Sequence, residues 1–209
     1  MKLYGEPGWG SALIEAQLDW YGLDYEFEAV GDLFRSAEAR DKLEGANPIV
    51  QVPTLIMDDG STMTESAAIT LLLADKQADD SLVPAAGSAE RAAFLRWLIF
   101  IVANVYPTYT YADDPSRFVS AVDAQKDYES TVHNWGKKMY LVLEENARQP
   151  WFLGDRFSAI DIFLCVMTRW EPGRKWFEKN APKLYAIATA TGQVDELRST
   201  WERNFKKPV

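Results

Sequence analysis

What most constrains the fold is a change of pattern near residue 80: strand and helix signals alternate before it, and only helix signals follow. Lys2–Gly5 reads as a short strand. From Ser11 the series Leu13, Ile14, Gln17, Leu18 and Tyr21 has helical spacing up to Gly22. Tyr25–Val30 alternates as a second strand, which completes a β-α-β unit. Asp32 to Glu44 is charged and weakly helical, and Asn47-Pro48 marks a turn. Thr54–Asp58 and Ser61–Thr64 then read as a hairpin closed by Asp59-Gly60, both of whose positions favour positive φ. A helix is predicted from Ser66 to Lys76. Between Gln77 and Ser88 the composition turns to Asp, Pro, Ala and Gly, so two domains are expected, 1–80 and 88–209.

In the second part Phe94, Trp97, Leu98 and Ile101 carry a helix over Ser88–Thr108, and Asp114-Pro115 reads as an N-cap and first-turn proline opening a helix to Ala147. FSAIDIFLCVMTRW is the most strongly specified start: Ser158 and Asp161 make a capping box, Phe157 and Ile162 a hydrophobic staple, and the helix must end before Pro172. One more helix is bracketed by Pro182 and Gly192, and a last one spans Gln193 to Phe205.

Composition narrows the function. Lys and Arg number 22 against 31 Asp and Glu, a net −9, with no basic stripe, which argues against nucleic acid. The apolar runs stop short of a membrane span and the start reads as a strand, so the expected location is the cytoplasm. One cysteine, Cys165, and one histidine, His133, leave no ligand set for zinc; they read as a small buried hydrophobe and an ordinary helix residue.

The polar chemistry concentrates in QVPTLIMDDGSTMTESAAI, Gln51 to Ile69. A β-α-β unit followed by a hairpin with proline just before its first strand is the layout of a thioredoxin-like domain, in which that proline is often cis. A cis Val52-Pro53 bond exposes the main chain of Val52 to an extended peptide, whereas a trans proline is an ordinary strand start. Glu65 and Ser66 stand at the entrance of the next helix. The helix N-terminus and the Ser66 hydroxyl suit a carboxylate and Glu65 suits an ammonium, the two charges of an amino-acid head, though the same residues also serve as a plain cap. Ser11, after Pro7-Gly8-Trp9-Gly10, can donate to a thiolate or simply cap its helix. Lowering a thiol from about 8.5 by two units takes only about 2.7 kcal/mol.

With these motifs in view the chain resembles a cytosolic glutathione transferase and is most similar to the bacterial beta class. The agreement covers MKLYGEPGWGSALIEAQL, NPIVQVPTLIMDDGSTMTESAAITLLLAD and WFLGDRFSAIDIFLCVMTRW. The resemblance implies an α/β thioredoxin-like N-terminal domain plus an all-α C-terminal domain, a homodimer, and glutathione as co-substrate with no metal. Val52 would pair with its cysteinyl backbone, with Gln51 and Pro53 also among the glutathione-binding residues, Glu65 and Ser66 would hold its γ-glutamyl end, and Arg35 could meet its glycyl carboxylate. Gly10 stands where the beta class typically has cysteine, which leaves Ser11 as the leading thiol activator and Tyr4 in reserve, Tyr4 being equally readable as core. Trp9, Tyr106 and Tyr109 are expected to hold a hydrophobic electrophile, the tyrosines being readable also as core or dimer contacts. The expected function is glutathione transfer to that electrophile. The alternatives are a glutathione-dependent peroxidase or reductive dehalogenase, and a non-catalytic scaffold of the same fold.

Overall fold

In the computed structural model, which describes residues 1–205, the β-α-β unit and the hairpin form one four-stranded sheet of order β2-β1-β3-β4. β1 (Lys2–Gly5) runs parallel to β2 (Glu26–Ala29) and antiparallel to β3 (Thr54–Ile56), which pairs antiparallel with β4 (Thr62–Met63). Three helices accompany the sheet: α1 (Ser11–Trp20), α2 (Ala37–Glu44) and α3 (Ser66–Gln77).

Because side chains alternate along a strand, β1 feeds two cores. Leu3 joins Leu55 with Ile14 and Leu18 of α1 and Ile69 and Leu73 of α3. Tyr4 packs instead against the cluster of Val30, Leu33, Ala39 and Leu43, the last two from α2, and so do Trp9, Val50 and Val52. Leu3 is fully buried, and truncating such a residue to alanine costs about 2–5 kcal/mol.

The hairpin differs from its expected form. Gly60 has φ +82 but Asp59 is not left-handed, and the Gly60 N–H bonds to the Met57 carbonyl. The chain thus turns through Asp58-Asp59 and closes with a left-handed glycine, the three-residue arrangement in which only one position demands positive φ.

The helical unit contains α4 (Arg91–Phe100), a π turn at Ile101–Val105 and α5 (Tyr106–Asp113), one continuous run. Pro107 removes a backbone donor inside this run, and a wider turn directly ahead of it is how a helix absorbs such a defect. By length and composition the run is apolar enough to cross a membrane, but Phe94, Trp97, Leu98, Ile101 and Val105 bury one face of it against protein. Asp114-Pro115 opens only a 3-10 turn, Pro115–Arg117, and α6 (Val122–Asn146) starts later than its predicted beginning. Asp114 accepts from the Ser116 hydroxyl and pairs with Arg117, side-chain contacts that stay within that short turn and put no cap bond on its backbone. α7 (Ala159–Met167) is buried at all nine positions and holds Cys165, whose thiol burial pushes up to about 11. α8 (Arg174–Asn180), which the sequence pattern did not reveal, and α9 (Pro182–Thr191) follow.

The division of the chain also differs from the expected one at its far end. One unit is Met1–Ala85 together with the stretch from Thr189, and the other is Ala86–Ala188. The last helix, α10 (Arg198–Asn204), packs on α1 because a buried carboxylate there requires it. Glu15, 3% exposed, receives Arg203 Nε at 2.6 Å and Asn204 Nδ2 at 2.7 Å, while Asp19 accepts from Thr200, Tyr25 and Arg203.

Candidate functional site

Strand register brings the predicted elements to one end of the sheet. Tyr4 lies opposite Thr54, and Leu55 opposite Met63. Continued by two residues, these pairings set the loop after Gly5, the Val52-Pro53 step and Glu65-Ser66 side by side.

The Val52-Pro53 bond is cis. Val52 is half-buried and precedes the ladder, and among the described residues its main chain makes no hydrogen bond. The turn before it is built by Asn47, 5% exposed, whose Nδ2 donates to the Gln51 carbonyl and to Thr54 Oγ1, both at 3.0 Å. Thr54 Oγ1 in turn donates to the Gln51 carbonyl at 2.8 Å. Sequence reasoning took Asn47 only as part of a turn dipeptide. With its Oδ1 also accepting from the Ile49 N–H at 3.1 Å, this buried asparagine makes three side-chain hydrogen bonds and is a scaffold for the residues that follow it. Gln51 itself points its side chain to an exposed position, and Pro53 is buried.

Glu65 is exposed and has φ +64 and ψ +103, a conformation that costs a non-glycine residue about 1–3 kcal/mol. It serves as N-cap of α3 without a side-chain cap bond, so its side chain leaves the first N–H groups of that helix to other partners. Ser66, 8% exposed, is the first helical residue. Arg35 is 88% exposed on its side chain and stands 3.8 Å from Asp32, a solvated cation within reach of a carboxylate.

Ser11 departs from the expected role. It is fully buried, its Oγ accepts from the Glu6 N–H at 3.0 Å and donates to the Glu6 carbonyl at 3.1 Å. Its orientation follows from close packing of α1 on β1: a Cβ on Gly5 would lie 2.4 Å from both Cβ and Oγ of Ser11. The hydroxyl therefore closes the loop from Glu6 and has neither the exposure nor the free proton that a thiolate needs. Tyr4 differs on both counts. It is half-buried, and its hydroxyl makes no hydrogen bond among the described residues. Trp9 is half-buried too, with its ring 5.3 Å from the exposed ring of Phe34, a neighbour that sequence reasoning missed.

In the helical unit Tyr109 is spent on the core. Burial pushes its phenol well above the ordinary range, its hydroxyl donates to the Glu171 carbonyl at 2.9 Å, and it meets the Tyr140 hydroxyl at 2.6 Å, where Tyr140 must then be the donor. That commits the Tyr109 hydroxyl to partners within the helical unit. Tyr106 stays half-buried and packs edge-on to Trp170 at 5.5 Å. Nothing in the sequence around Trp170 marked it for that pairing.

Comparison with known proteins decides the family. A profile described as "Glutathione S-transferase, N-terminal domain" matches residues 11–81. The glutathione S-transferase GstA of Escherichia coli O157:H7 is 31% identical over 81% of this chain and 82% of its own length. This chain belongs to the glutathione S-transferase family. Within the family it is also similar to the uncharacterised GST-like protein YncG of Escherichia coli K12, at 39% identity over 98% of both chains. A sphingomonad glutathione S-transferase solved in complex with glutathione is 28% identical over 97% of this chain and 98% of that one, with a TM-score of 0.77.

Proposed function

We propose that this glutathione S-transferase family member binds glutathione on its sheet domain and transfers it to an electrophilic carbon. The single observation that supports the reading is the register that carries Val52, whose main chain makes no hydrogen bond among the described residues, to the same end of the sheet as the exposed Glu65 at the start of α3. The two ends of a short peptide fit it. The cysteinyl backbone pairs with Val52 in extended form, the γ-glutamyl carboxylate meets Ser66 and the α3 N-terminus, its ammonium meets Glu65, and the glycyl carboxylate meets Arg35.

For the thiol, the assignment moves from Ser11 to Tyr4. A phenol whose hydroxyl makes no hydrogen bond among the described residues can donate to the sulfur, and the first N–H groups of α1 add positive potential beside Gly10. Together these favour the thiolate. Its sulfur forms the bond to carbon, the leaving group departs with its electron pair, and the thiol proton has already passed to solvent. Trp9 and Phe34 offer the electrophile an apolar wall on the sheet domain. A homodimer, typical of the family, is part of this reading.

Binding without turnover has one observation in its favour: the serine next to Gly10 is committed to Glu6, so a single phenol is left as side-chain activator. Calorimetry with glutathione, followed by product analysis with a chlorodinitrobenzene-type substrate, separates the readings. Saturable binding and a thioether product are expected. Binding with no product would favour a binding protein, and absence of binding at millimolar glutathione would overturn both.

A further inference from the structure

The loop Glu6–Gly10, which must hold the thiol against α1, is tied to the far end of the chain. Asn204, 8% exposed, accepts the Gly8 N–H on Oδ1 at 2.9 Å and donates from Nδ2 to Glu15 Oε2 at 2.7 Å and to the Thr200 carbonyl at 3.0 Å. The amide orientation is fixed by chemistry: the Gly8 N–H needs an acceptor and the Glu15 carboxylate needs a donor, and only one flip of the side chain supplies both. Gly8 has φ +79, and a Cβ there would meet the Asn204 carbonyl at 3.3 Å, so loop and helix end approach at main-chain distance. Glu15 lies on α1 and is gripped on its other oxygen by Arg203.

We infer that Asn204 is a positioning residue for the thiol site, a two-ended staple that fixes the loop before α1 against α1 itself. This rests on the proposed function. The N–H groups at the start of α1 and the ring of Trp9 can favour a thiolate only if the loop holds one geometry, because electrostatic stabilisation falls away with small displacements of the donors. No other side chain type does the same work here. Aspartate would set two carboxylates face to face, and a hydrophobe would remove both the acceptor on Gly8 N–H and the amide donor to Glu15 Oε2.

The test uses the full chain with glutathione. Asn204→Ser should speed amide exchange at Gly8 by about tenfold or more and raise the pKa of bound glutathione by about half a unit to one unit. kcat should fall by about tenfold while KM for the electrophile changes little. Should Asn204→Ser not fold, Asn204→Asp provides the loss and Glu15→Gln/Asn204→Asp the rescue, since the glutamine amide then donates to the new carboxylate. Recovery of the thiol pKa in the double variant supports the staple. Faster Gly8 exchange with unchanged thiol pKa and kcat, or loss without rescue in the swapped pair, overturns it. If the wild type itself does not lower the thiol pKa, the proposed function falls and takes the inference with it; if it does and Asn204→Ser matches it, only the inference falls.

Discussion

Ser11 and Ser158 stand at the starts of α1 and α7, and both are fully buried, yet they do opposite things. Ser158 is a true N-cap with extended backbone, φ −153 and ψ 171, and its N–H and hydroxyl both bond Asp161, which also accepts from the Phe152 N–H at 2.8 Å. Ser11 is one residue inside its helix, after a helical Gly10, and turns its hydroxyl back onto Glu6. A serine at a helix start is therefore a cap, a ligand or a loop closure according to whether it sits on the N-cap or one step later, and according to what packs on it.

Asp161→Ala sharpens the comparison most, because it strips several hydrogen bonds from a fully buried place. Urea unfolding should show a loss of about 2–4 kcal/mol, and a loss under about 1 kcal/mol would mean that the capping box is incidental. Gly5→Ala comes next. The added methyl has to displace Ser11 or the start of α1, for a loss of about 1–3 kcal/mol with a fall in glutathione affinity; an unchanged unfolding midpoint would show that α1 does not press on β1. Ser11→Ala should be the mildest in stability, about 1 kcal/mol for bonds to one main-chain unit that water can partly replace. If it instead abolishes turnover while leaving stability alone, the comparison is wrong and Ser11 is the activator.

The distinction was partly legible. Ser158 is followed three residues on by Asp161, whereas Ser11 is followed by Ile14, so the reciprocal acid of a capping box was visible in one case and missing in the other. The β-α-β unit, the hairpin and α3 were readable because alternation and turn residues act locally. That Val52-Pro53 and Glu65-Ser66 share one end of the sheet was readable because strand register carries them there.

Long-range packing was not readable. The inward turn of Ser11 depends on Gly5, the commitment of Tyr109 on Tyr140 and the Glu171 carbonyl, and the grouping of α10 with the sheet on a carboxylate at Glu15 that sits among apolar neighbours in sequence. Asp114-Pro115 misled for a different reason. Asp114 opens one 3-10 turn with no side-chain cap bond, since local signals fix where a turn can start and not how far a helix runs.

The central claim is that Tyr4, and not Ser11, favours the thiolate. The most direct measurement is the pKa of glutathione's thiol in complex with the wild type, Tyr4→Phe and Ser11→Ala, read from thiolate ultraviolet absorbance against pH. The account predicts a rise of about one unit, about 1.4 kcal/mol, for Tyr4→Phe and no change for Ser11→Ala. A rise confined to Ser11→Ala, with Tyr4→Phe titrating like the wild type, would contradict it.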